Sequence, residues 1–345
     1  MRFTYLATSL VFFFLGPHVT SAFEIEGNHI YPAPNGNLTI KIISTADINV
    51  FEPIILAFQR AHPTINVDYV IASSTELMKA LYEEGGEFDL AISSAMDLQT
   101  KLANDGFAQT YSSNATDTLP DWAKWRNQVF AFTQEPAVVV ISKAAFEGID
   151  PPKTREDLIS LLRDNPDKFE KRIGTYDVRV SGAGYLFATQ DSRNSDSYWR
   201  LTEVMGRLNS RLYRGSGDMI HDVASGQLTL AYNVVGSYAM SRLSDYPGIQ
   251  IILFDDYVNV MLRTALIPKN ASNPTQSGMM IDFLATLNRR PELVKLTSLP
   301  PIDSAQLQEN SAARPIRLGP GLLVFLDRLK KESFLTNWVN SIEQE

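Results

Sequence analysis

The residues best placed for chemistry in this chain are hydroxyls and backbone amides at the ends of strands. In Phe88 to Phe107 an apolar run (Phe88, Leu90, Ile92) reads as a strand that stops at Ser93-Ser94. A helical pattern follows, with Leu98 and Leu102 one turn apart, and Ser94 stands three residues before Asp97, the spacing of a capping box. Strand, polar turn and helix start together leave N–H groups near Ala95 and Met96 free to point from the carboxyl edge of a sheet. Open α/β sheets hold ligands there, and helix N-termini favour anions. We read this turn as one wall of a ligand cleft. Ser181-Gly182-Ala183-Gly184 opens another helix, through Tyr185, Leu186 and Phe187, and glycines there would let a ligand approach the backbone closely. Its spacing fits neither a dinucleotide fingerprint nor a Walker loop.

Other chemistries lack their residues. The four histidines (His18, His29, His62, His221) form no Ser/His/Asp arrangement and no HExxH motif, so no enzymatic activity is expected. The adjacent acids Glu83-Glu84 and Asp255-Asp256 read as solvated faces or turns. The chain has no cysteine, which excludes disulfides, thiolate metal sites, cysteine nucleophiles and a lipid-modified cysteine. No cofactor is expected. A formal net charge of −8 offers nothing general to nucleic acid.

The elements that must position these turns alternate along the chain. Leu38 to Ile43 reads as a strand ending in the polar turn Ser44 to Asp47, and Phe51, Ile54, Ile55 and Phe58 make an amphipathic helix closed by Pro63. Ile65 to Ile71 alternates as a second strand. Ser73 and Glu76 then cap a helix with Leu77 and Leu81 inward, ended by Gly85-Gly86. With Phe88 to Phe107 this gives βαβαβα, hence a parallel sheet whose turns at Thr45, Ser73 and Ser94 face one edge. Residues 23–36 look like a leader without a core. Phe130 to Ser142, read as broken at Thr133 to Pro136, is a crossing into a second α/β unit. That unit holds a helix starting at Thr154 and Asp157, the strands Arg172 to Asp177 and Leu228 to Tyr232, and a turn from Asn233 to Gly236. Val258 to Ile267 is the return crossing. Met279, Met280, Phe283 and Leu287 line a core face, and the last two helical patterns, Gly321 to Lys330 and Phe334 to Ile342, are expected on the first unit. The expected division is 23–132 and 263–345 for the first lobe and 133–262 for the second. At the N-terminus Arg2, the apolar Leu6 to Gly16 and the small residues Thr20-Ser21-Ala22 read as a signal peptide of residues 1–22, which would place the protein outside the cytoplasm.

Two α/β units, two crossings and a signal segment resemble the periplasmic solute-binding proteins of bacterial ABC transporters, in the extracellular solute-binding family 1. The likeness is carried by Phe51 to Pro63, Ser93 to Gly106, Ile173 to Tyr185 and Arg317 to Asp327. It is nearest to the branch of ferric-ion and hexose-phosphate binders and the periplasmic regulator of phosphoglycerate transport. The resemblance implies a two-lobe type II fold, each lobe a mainly parallel sheet flanked by helices, closing on a ligand between them. By position Thr45, Ser74, Ser93, Ser94 and Ala95 would contribute from the first lobe. Ser181, Gly182, Ala183, Gly184, Tyr232 and Asn233 would contribute from the second. Hydroxyls and amides suit a small anionic solute, phosphorylated or carboxylated. The family's ferric binders use adjacent tyrosines, whereas the matching place here reads Tyr232-Asn233, which ranks iron below an organic anion. The resemblance implies a monomer in the periplasm whose partner is an inner-membrane ABC permease or, alternatively, a membrane sensor kinase.

Overall fold

A computed structural model describes residues 22–344. The expected signal segment lies outside the described residues except for Ala22. Among the described residues twelve strands occur in chain order: β1 Gly27–Tyr31, β2 Leu38–Ser44, β3 Ile65–Ile71, β4 Leu90–Ser93, β5 Lys124–Trp125, β6 Val129–Ser142, β7 Ile173–Tyr176, β8 Arg211–Tyr213, β9 Leu230–Val235, β10 Ile249–Ile252, β11 Val258–Leu266 and β12 Ala313–Pro315. Hydrogen bonds connect them in the order β1-β3-β2-β4-β11-β6-β9-β7-β8, with β5 and β10 on β6 and β12 on β11.

Each lobe has a parallel centre. In the first, β2 pairs in parallel with β3 and β4, so the turns after all three open on one edge, as the alternating pattern predicts. In the second, β7 pairs in parallel with β8 and β9. The crossing strands are antiparallel to everything they meet except the short β12. The first part of β6 pairs with β11 and its last part with β9 and β10, while β11 turns its own far end to β4. "Mainly parallel" therefore describes the lobe centres and not the strands that join them.

Four expectations need correction. The 23–36 leader contains β1, which pairs antiparallel with β3. This strand is held by its backbone and leaves Ile30 71% exposed, so it carries little apolar pattern to read. The Thr133 to Pro136 break does not occur: β6 runs unbroken, because Thr133, Gln134 and Glu135 are buried with partners for their polar groups. Met279 points outward, whereas Met280, Phe283 and Leu287 are buried. The closing helix Arg328–Ile342 packs on the second lobe, not the first. Its Phe334, Trp338 and Ile342 join the core made by Leu158, Ile173, Tyr185, Tyr198 and Tyr232, with the Phe334 ring 5.5 Å from that of Tyr185. No helix among the described residues is long and apolar enough to cross a membrane.

Candidate functional site

A cleft of about 360 Å³ opens where the carboxyl ends of β2, β3 and β4 face the second lobe. One wall is Thr45, Asp47, Ser73, Ser74 and Ser94, with Glu26 at its edge. The facing wall is Tyr176 at the end of β7, Ser181 and Ala183 at the start of helix Gly182–Asn194, and Ser216 to Asp218 at the start of helix Ser216–Ala224. Tyr238 and Arg214 complete it, and Arg263 of β11 lies at the base.

The expected residues divide into three groups. Thr45, Ser74, Ser94, Ser181 and Ala183 line the cleft. Ser93, Ala95, Gly182 and Gly184 lie directly behind its surface. The Ala95 N–H donates to Ser93 Oγ (3.1 Å) and the Met96 N–H to the Ser94 carbonyl (3.0 Å), so the amides expected to be free are engaged. The capping box does not form either. Helix Met96–Asn104 has Ala95 at its N-cap with no side-chain cap, and Ser94 is turned toward Thr45, whose Oγ1 accepts from the Ser94 N–H (3.1 Å). Tyr232 and Asn233 are in neither group: they face the interior of the second lobe. The Tyr232 hydroxyl donates to Asp191 Oδ2 (2.8 Å) and accepts from Arg155 Nε (2.8 Å), and the Asn233 amide donates to the same carboxylate (2.8 Å). Arg155 also reaches Asp256 Oδ1 (2.9 Å) and the Tyr257 carbonyl (2.8 Å), so Tyr232 and Asn233 are engaged in a buried network within the lobe.

Gly182 serves contact between the lobes, and Gly184 serves packing within the second. The Gly182 N–H donates to Ser74 Oγ across the seam (3.0 Å), and a Cβ at Gly182 would lie 2.4 Å from that oxygen. A Cβ at Gly184 would lie 2.3 Å from Tyr176 Cβ. A second contact between the lobes is the Asp47 N–H donating to the Tyr238 hydroxyl (3.2 Å).

Arg263 is one of the cleft residues that sequence reasoning missed, with Asp47, Tyr176, Asp218 and Tyr238. It is 1% exposed, and its Nε and one terminal nitrogen donate to Glu135 on β6 (2.9 and 3.1 Å). Glu135 also accepts from Thr133 Oγ1 (2.7 Å) and from Ser237 Oγ. Burial alone would raise the Glu135 carboxyl; the guanidinium and the hydroxyl donors outweigh it and hold it below its ordinary range. The second terminal nitrogen, Nη1, is buried with no hydrogen-bond partner. A buried unpaired donor is costly, so this N–H group is poised for an acceptor brought into the cleft. The pairing register of β6 and β11 shifts beside Arg263, as strands do near sites. Arg263 and Glu135, each the only charged residue in a strand-forming run, were the available signal.

Tyr176 and Tyr238 line the cleft, and burial pushes both phenols up, Tyr238 to about 12. Neither is poised as a phenolate. Among the described residues no group of three or more His, Cys, Asp or Glu is arranged to hold a metal ion.

Residues 44–244 match the family described as bacterial extracellular solute-binding protein. The substrate-binding protein of an ABC transporter from Agrobacterium tumefaciens is 32% identical with a TM-score of 0.87, covering 92% of this chain and 98% of its own. The periplasmic binding protein AfuA of Actinobacillus pleuropneumoniae, with fructose-6-phosphate bound, is 14% identical with a TM-score of 0.71 over 90% of this chain and 100% of its own. Iron-bound HitA of Pseudomonas aeruginosa is 15% identical with a TM-score of 0.68 over 88% and 99%. At such identities the last two speak for the fold alone. No curated protein matches the sequence significantly.

Proposed function

The chain belongs to the bacterial extracellular solute-binding proteins, and from that premise we propose that it captures a small anionic solute, a phosphorylated or carboxylated organic compound, between its lobes. The observation that carries this reading is the buried, unpartnered Nη1 of Arg263 at the base of the cleft. A carboxylate or phosphate oxygen would complete the guanidinium. Ser74, Ser94, Ser181 and Thr45 add hydroxyl donors around it. The protein binds without turnover, in the periplasm, as a monomer, and hands the solute to an inner-membrane ABC permease. Signalling to a sensor kinase is disfavoured by the likeness to an ABC-transporter protein over almost the whole chain. A ferric site is disfavoured by the raised phenols of the cleft and by the engaged hydroxyl of Tyr232.

Thermal unfolding against sugar phosphates, phosphoglycerate, di- and tricarboxylates and ferric salts tests the reading. An anionic ligand at a hundred times its Kd adds about 2.7 kcal/mol to stability and raises the midpoint. Arg263→Lys keeps a cation for Glu135 but lacks the planar fork, so ligand affinity falls about tenfold or more while the fold persists. If only ferric salt raised the midpoint, with a visible iron–phenolate band, or if Arg263→Lys bound as the wild type does, the anion reading would be wrong.

A further inference from the structure

The cleft makes two opposite electrostatic demands. Arg263 offers an unpartnered N–H at its base, but three carboxylates, Glu26, Asp47 and Asp218, line its walls. Among the described residues none of the three takes part in an ion pair. Of the positive groups on the same surface, Arg263 is already paired with Glu135, and the exposed Arg214 lies 3.9 Å from Glu24. The lining is therefore net acidic. A ligand carrying only negative charge would gain one donor at the base and be repelled by the walls.

Asp47 is the most telling of the three. It is the N-cap of helix Ile48–Ala61, where an Asp ordinarily accepts from the N–H groups of the first turn, yet its carboxylate makes no such bond. Its side chain is open to the cleft; desolvation pushes its carboxyl above its ordinary range and Asp218 across the gap adds to this, while Arg263 and Arg242 act in the opposite direction. Tyr238 separates it from the guanidinium. That hydroxyl accepts the Asp47 N–H, and the ring centre lies 5.7 Å from Arg263 Cζ. An acid and a donor stand one tyrosine apart in the same small space.

We infer that the solute is zwitterionic, a short amino-substituted organic phosphate, phosphonate or carboxylate, with its anionic end at Arg263 and its ammonium facing Asp47 and Asp218. This rests on the cleft between the lobes being the binding site, as proposed above. The ammonium supplies the direct ion-pair partner that, among the described residues, neither aspartate has, and the anionic group satisfies Nη1. The same walls select against the des-amino analogue.

Calorimetry with matched pairs tests it: O-phosphoethanolamine against ethyl phosphate, and γ-aminobutyrate against butyrate, with ethanolamine alone as the cation control. In at least one pair the amino member binds about tenfold tighter or better, the scale of one partly desolvated ion pair. Asp47→Asn brings the amino-to-des-amino ratio toward one, and Asp47→Glu restores it, whereas a purely structural role would leave the ratio unmoved. Thermal midpoints of both variants are recorded alongside. If the des-amino member binds as tightly as its partner, or if neither pair binds while sugar phosphates or tricarboxylates do, the zwitterion is overturned and the anion reading stands. If ethanolamine alone matches phosphoethanolamine, or no anion of any kind binds, both readings fall.

Discussion

Asp97 ties the stability of this protein to pH. It sits in the first turn of helix Met96–Asn104, 3% exposed, beside a small hollow lined by Met78, Leu98, Val178, Tyr185 and Lys331. Its Oδ1 has no hydrogen-bond partner. Burial pushes the carboxyl up to about 7, offset in part by backbone N–H donors and by Lys331. Between its ordinary value and about 7 the folded protein holds a proton that the unfolded chain has released. Stability therefore falls as pH rises through that window, by roughly 4 kcal/mol in all for a shift of this size. Denaturant titrations at pH 5, 6, 7 and 8 should show this decline. Asp97→Asn should flatten it and be the more stable protein at pH 8; a variant with the wild-type slope would clear Asp97 of the effect. Glu135 contributes with the opposite sign. Held below its ordinary range, its stabilisation is lost only as pH falls through the acid carboxylate range. At this scale the sequence is a partial guide. Ser94 and Asp97 have the types and spacing of a capping box, but Thr45, forty-nine residues away, engages Ser94 instead. Arg263 and Glu135 are partners only through strand pairing, which no local pattern announces.

Elements were more legible than residues. The spans Leu38–Ser44, Ile65–Ile71 and Val258–Leu266 follow from apolar runs, and Thr154 with Asp157 forms the capping box its spacing predicts. What stayed hidden depends on contacts distant in sequence: the backbone-held β1, the unbroken β6 and the destination of the last helix. Cleft residues on the first lobe were legible because parallel strands end together. Those on the second lobe were read one shell too deep at Tyr232 and Asn233, where a strand-end tyrosine looks the same whether it faces a ligand or Asp191. Gly182 shows how the helix starts meet. With a Cβ there, Ser74 Oγ must move and Ala95 Cβ, at 3.0 Å, is too close. Overpacking of this kind costs about 1–3 kcal/mol, borne only where the lobes touch. Gly182→Ala should bind solute about tenfold or more weakly. Its midpoint without ligand should be no lower than wild type, since Ala is the better helix former. Wild-type affinity in Gly182→Ala would show that the seam plays no part in capture.

For the whole molecule, the arrangement reduces to two lobes joined by two buried antiparallel strands, β6 and β11, with a cleft between them and a tail that ties both sides. Pro320–Leu326 lies at the seam, where the Phe325 carbonyl accepts from the Tyr185 hydroxyl, before helix Arg328–Ile342 continues over the second lobe. If the solute enters only when the lobes part, fixing the seam must stop exchange relative to the same variant with the seam left free. The absence of any cysteine makes this testable with a single introduced pair. A Cβ on Gly182 would lie 3.0 Å from Ser74 Cβ. A disulfide needs about 3.5–4.5 Å between Cβ atoms, so a slight opening of the seam accommodates Ser74→Cys with Gly182→Cys. The oxidised double variant, purified without ligand, should bind solute many times more slowly than its reduced form. The same variant oxidised with solute bound should retain it through dialysis and release it when thiol is added. Equal exchange rates in the oxidised and reduced forms would mean that the solute reaches its site by a route that does not require the lobes to part at Ser74 and Gly182.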